Sequence, residues 1–96
     1  MDANIETLVA QFIARNGWHA RRWADPDESV GLCDEASEGL VHFLERHGVE
    51  AETECVERHV DGGCPSHTVV WVPEAGVTVD LTARQYDADA AFPLID

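Results

Sequence analysis

The chain has 96 residues, enough for one small domain, and its 45% apolar and 26% charged side chains fit a globular rather than a disordered chain. Six basic residues against nineteen acidic ones leave a formal charge of −13, a field that repels phosphate backbones and anionic membranes and so argues against nucleic acid as a partner. The longest apolar runs, such as 68–72, fall far short of the ~20 residues that cross a bilayer, and Asp2 and Glu6 stand where a secretory leader carries basic residues, so a soluble, cytoplasmic protein is expected.

In chain order, Ala3–Arg15 sets Ile5, Leu8, Val9, Phe12 and Ile13 at helical spacing, which predicts an amphipathic helix ended by Asn16-Gly17. Residues 18–31 hold Trp18, Trp23, Arg21, Arg22, Pro26 and several acids without a period, and they read as a long ordered loop. Helical periodicity returns over 32–47, with Ala36, Leu40, Phe43, Leu44 and His47 on one face and Gly48 as the left-handed stop. A weak alternation over 49–60 and the loop Asp61-Gly62-Gly63-Cys64-Pro65 lead to two strong strands, 67–72 and 77–82, around Pro73-Glu74-Ala75-Gly76. The remainder is irregular, with Phe92-Pro93-Leu94-Ile95 packing as an extended tail. The expected architecture is a single α+β domain over 1–96, two helices on a three-stranded or slightly larger antiparallel sheet.

Cysteines at 33, 55 and 64 are odd in number, so a disulfide framework is not expected and at least one thiol is free. Cys33 falls at the start of the second helix, directly after Gly31-Leu32, where unpaired backbone N–H groups and the positive end of the helix dipole favour an anionic sulfur. A thiolate nucleophile needs a base, and the base an orienting group; His67 and Asp80 are the candidates. With a two-residue hairpin tip, either Pro73-Glu74 or Glu74-Ala75, opposed residue numbers sum to 147 or 149, and His67 and Asp80 share a face in both cases. They are directly opposed in the first register and diagonal neighbours in the second, within reach of an imidazole–carboxylate hydrogen bond. Asp80 shares its face with Thr78 and Thr82, while Val77, Val79 and Leu81 point the other way. The second helix has to pack across the sheet end that carries His67.

Gly31-Leu32-Cys33 at a helix start, a strand opening His67-Thr68-Val69-Val70-Trp71-Val72, a strand ending Val79-Asp80-Leu81-Thr82, and the tail Ala83-Arg84-Gln85-Tyr86-Asp87 follow one another in the order Cys, His, Asp. These segments, covering 31–95, resemble the minimal core of the papain-like and transglutaminase-like cysteine enzymes, in particular their small bacterial and phage members. The resemblance implies Cys33 as nucleophile, His67 as general base and acid, and Asp80 as the group that orients the imidazole. It implies acyl transfer through a thioester, of peptidase, amidase, deamidase or transglutaminase type, on a peptide, protein or small amide, without metal or cofactor. The Gln that papain-type enzymes carry shortly before their Cys has no counterpart between Trp18 and Leu32. The Cys33 backbone N–H is then one oxyanion donor, Trp23 and Gln85 are candidates for a second, and Trp71 for a cleft wall.

Two other readings compete. Cys55, His59, Cys64 and His67 are four soft ligands within thirteen residues, a possible structural zinc set. The acid-rich stretches at 25–28 and 50–57 instead fit a non-catalytic acidic interaction or inhibitor protein that selects a basic partner, with Cys33 a small buried hydrophobe on the apolar helix face.

Overall fold

The computed structural model describes residues 3–57 and 66–96. It contains three helices, α1 (Ala3–Arg15), α2 (Gly17–Ala24) and α3 (Cys33–Arg46), and four strands, β1 (Glu52–Glu57), β2 (Ser66–Val72), β3 (Val77–Asp80) and β4 (Leu94–Ile95). The strands form one antiparallel sheet in the order β1-β2-β3-β4, so the protein is an α+β domain.

The first helix has the predicted bounds, and the second long helix lies within one residue of them at each end. Gly48, at φ +79°, supplies the left-handed residue that releases the chain after α3. Residues 18–31 depart from the expected loop, because their first part is helix α2. Two residues account for its burial, Ala20 and Trp23, spaced three apart. Trp23 stacks on Phe12 of α1 with ring centroids 5.6 Å apart, and Phe12 also meets Phe43 of α3 at 5.5 Å. That aromatic cluster brings α1 close to α3: a Cβ on Gly39 would stand 3.1 Å from the Phe12 ring. The expected two helices are therefore three, with α2 joined to the body through one large side chain.

The apolar core joins α1, α2 and α3 to one face of the sheet. Val9, Leu40, Phe43 and Leu44 from the helices share a cluster with Val70, Val72, Val79 and Leu81 from the β2–β3 region. Alternation along the strands sends their neighbours to the other face, so His67, Val69 and Trp71 project there from β2, and Thr78 and Asp80 from β3. The tail expected to pack as an extended segment does so by pairing as β4, with Val79 opposite Ile95 and Asp80 opposite Leu94. Among the described residues no helix is long and apolar enough to cross a membrane.

Candidate active site

The hairpin adopts the register in which opposed numbers sum to 149, with Val70 against Val79, Trp71 against Thr78 and Val72 against Val77. Extending it sets Asp80 opposite Val69, two residues beyond His67, so the two side chains meet diagonally on one face. His67 Nε2 lies 2.8 Å from Asp80 Oδ2, with the two residues only 1% and 3% exposed. A carboxylate can only accept, so the proton of this bond sits on Nε2 and the lone pair of the neutral ring sits on Nδ1. The other carboxylate oxygen, Oδ1, accepts the Thr82 backbone N–H at 3.0 Å.

The chain after β3 folds back over the imidazole. A 3₁₀ turn at Ala83–Gln85 brings the Gln85 amide nitrogen to 3.5 Å from His67 Nδ1 and to 3.1 Å from Thr82 Oγ1. The edge of the Tyr86 ring meets the imidazole with centroids 4.8 Å apart. Arg84 anchors this segment, its guanidinium donating to the carbonyls of Ala90 and of Ala24 at the end of α2. Tyr86 is a site neighbour the sequence reading did not single out; its only signal is its position directly after Gln85.

Helix α3 reaches the same strand end from the other face. Ser37 Oγ donates to the Thr68 carbonyl at 3.2 Å, and Thr68 Oγ1 donates to Asp34 Oδ1 at 2.6 Å. Cys33, partly buried, is the first residue of α3 and lies one turn before Ser37, at the i, i+4 spacing that shares a helix face. The thiol thus belongs to the helix face anchored at the His67 end of β2. Among the described residues no hydrogen bond joins Cys33 to His67, so the structure brings together His67, Asp80 and Gln85 and leaves the thiol outside that group, on the helix that covers the opposite face of β2.

The remaining candidates divide. Trp23 is 3% exposed and its indole N–H donates to Glu35 Oε2 at 3.3 Å, so it is a core residue with its donor taken and does not serve an oxyanion. Trp71 is half-buried and shares the face of His67. Of the zinc set, His59 and Cys64 lie outside the described residues. Cys55 pairs with Thr68 and Val56 with His67, so Cys55 takes the sheet face opposite to His67 and the two cannot converge on one ion. Among the described residues no group of three or more His, Cys, Asp or Glu side chains is arranged to hold a metal.

A thiol at a helix start and a buried imidazole–carboxylate pair with its lone pair at Nδ1 are the group types that nucleophilic acyl chemistry uses; here the thiol lies on the helix that packs over Thr68, and the pair projects from the opposite face of the same strand. No family model matches the chain, and neither a curated protein nor a solved structure does.

Proposed function

We propose that the protein is a cysteine-dependent acyl-transfer enzyme of papain-like or transglutaminase-like type. Cys33 is the nucleophile, His67 the base and acid, and Asp80 the group that orients the imidazole. The observation that carries this reading is the buried 2.8 Å bond from His67 Nε2 to Asp80, which leaves Nδ1 as the basic atom at the strand end where α3 begins. A purely apolar sheet face needs no such pair. In the reaction the thiol proton passes to Nδ1 and the sulfur attacks an amide or ester carbonyl. The leaving group departs with that proton, and water or an amine releases the thioester. The backbone N–H groups of the first α3 turn stabilise the developing oxyanion. The substrate class is a peptide, protein or small amide; peptidase, deamidase and transglutaminase outcomes differ in leaving group and acceptor alone.

The test is the pH dependence of Cys33 alkylation by iodoacetamide, read by mass spectrometry against Cys55 and Cys64. Cys33 is expected to react fastest at pH 6, and both His67→Ala and the milder Asp80→Asn are expected to slow it at least tenfold. Labelling no faster than at the exposed Cys55, in a folded protein, overturns the assignment. That result favours the second reading, an acidic interaction protein, for which the observation is Trp18. It is 65% exposed on α2, with the Arg22 guanidinium 5.3 Å from its ring centroid.

A further inference from the structure

His67, Asp80, Thr82 and Gln85 form a closed circuit. His67 Nε2 donates to Asp80 Oδ2, Asp80 Oδ1 accepts from the Thr82 backbone N–H, Thr82 Oγ1 accepts from the Gln85 amide, and the same amide nitrogen faces His67 Nδ1. A terminal amide differs from every other side chain in carrying a donor and an acceptor at equivalent positions. Turned over, Gln85 presents its carbonyl oxygen to both neighbours. It then accepts from an Nδ1–H, and from the Thr82 hydroxyl, which rotates to donate. The two arrangements match the two protonation states of the ring, and each pairs His67 Nδ1 and Thr82 Oγ1 with Gln85.

We infer that Gln85 is the positioning residue of His67, its amide donating to the Nδ1 lone pair of the neutral imidazole and, turned over, accepting from Nδ1–H of the imidazolium. The circuit holds the ring plane and the Nε2–H tautomer fixed while the charge at Nδ1 changes. The place of Gln85 in catalysis rests on the acyl-transfer reading. Gln85 turns over before the proton arrives and frees the single Nδ1 lone pair; the Cys33 S–H bond then breaks as an Nδ1–H bond forms, net charge is conserved, and a thiolate and an imidazolium result. Gln85 accepts from the new N–H until the proton leaves with the departing group. This role replaces the oxyanion role that position alone suggests, because the Gln85 amide is spent on His67 and Thr82. Among the described residues Asp80 from β3 and Tyr86 from the segment after the 3₁₀ turn meet the ring, and Glu54 of β1, opposite Val69 and exposed, shares its sheet face as a diagonal neighbour; from α3, Asp34 stops at the Thr68 hydroxyl and Cys33 makes no bond to the ring.

The experiment is a pH titration of the His67 ring nitrogens by NMR on the full ¹⁵N-labelled chain, for wild type, Gln85→Glu and Gln85→Met. In wild type the neutral ring is expected as the Nε2–H tautomer, and the Gln85 side-chain NH₂ signals are expected to shift in step with it. Gln85→Glu places a full negative charge on Nδ1 and is expected to raise the His67 midpoint by about one to two pH units. Gln85→Met keeps the length but offers neither donor nor acceptor, and because the lost bond to the charged ring is the stronger of the two, the midpoint is expected to fall. Gln85 is half-buried, and either variant alone decides if the other fails to fold. A midpoint unchanged in the variants, with Gln85 NH₂ signals indifferent to the titration, overturns the inference. Cys33 alkylation on the same samples separates the two proposals: shifted midpoints with alkylation indifferent to His67 uphold the Gln85 circuit and defeat the acyl-transfer reading.

Discussion

The two faces of the β2–β3 hairpin are both buried, and they are buried by different physics. Toward the helices, Val70, Val72 and Val79 are 0% exposed against Leu40 and Leu44, and only shape and volume matter there. Away from them, His67, Asp80 and Thr82 are as deeply buried, at 1 to 3% exposure. Polar atoms at such depth are tolerated only where each finds a partner. The first face accepts any side chain that fills its space. The second restricts which atom of the imidazole carries a proton, so it fixes a chemical state as well as a position. A sheet that needed nothing but stability would be simpler with two apolar faces.

The largest expected effect breaks the apolar face. Leu40→Ala, at a fully buried α3 position, is expected to cost about 2–5 kcal/mol in urea or thermal unfolding. The His67 tautomer should be unchanged in the folded fraction, because Leu40 belongs to the apolar cluster on the opposite face of the hairpin. A Leu40→Ala protein that keeps its stability but loses the His67–Asp80 bond would show that the two faces are not independent.

Asp80→Asn breaks the other face at constant volume. If the Asn oxygen faces His67, its NH₂ confronts the Thr82 N–H, donor against donor; turned over, the NH₂ confronts Nε2. The first arrangement loses one buried bond, which costs about 1–3 kcal/mol, less than Leu40→Ala, and the second keeps its bonds only if the ring moves its proton from Nε2 to Nδ1. In contrast with that variant, the His67 ring signals are expected to change tautomer or broaden. A ring spectrum identical to wild type would mean that the carboxylate does not set the proton position.

Legibility in the sequence follows the same division. Helices α1 and α3 repeat apolar residues over several turns, and the hairpin is bounded by Pro73 and Gly76, so periodicity and turn chemistry locate them. His67 and Asp80 could be paired on paper because any even-length tip puts them on one face. Helix α2 has only Ala20 and Trp23 inside, between Asn16-Gly17 and Pro26, and eight residues carry too little period to outweigh those breakers. Trp23 was legible as an N–H donor but not as one already taken, since its acceptor Glu35 lies twelve residues on in another helix. Gln85 was legible as a polar residue near the site, and its task was not, because the 3₁₀ turn that folds it back onto His67 is a product of the tail packing. The family resemblance stands on the residues that periodicity locates best, and the thiol-to-imidazole approach is the part that spacing alone leaves open.

The smallest expected effect lies outside both faces, in the turn that leads into α3. Asp25 closes α2, and its Oδ1 accepts the backbone N–H groups of Asp27 at 2.8 Å and Glu28 at 3.0 Å. The bonds from Glu28 and Asp27 favour the charged carboxylate and hold its pKa below the usual 3.8. A depressed folded-state pKa means stability that is fully present above 3.8, where the carboxylate is charged in folded and unfolded chains alike. As pH falls through that value the unfolded chain takes up its proton first, and the advantage shrinks until the folded carboxyl is protonated as well. Asp25→Ala is therefore expected to lower the unfolding temperature slightly at pH 7, and the difference from wild type is expected to close as pH falls below 3.8. A difference that stays constant across the titration would assign the role of Asp25 to backbone conformation instead of to its charge. The turn precedes α3 in the chain, so the same series read by Cys33 alkylation tests whether a surface carboxylate outside both hairpin faces helps to place the thiol.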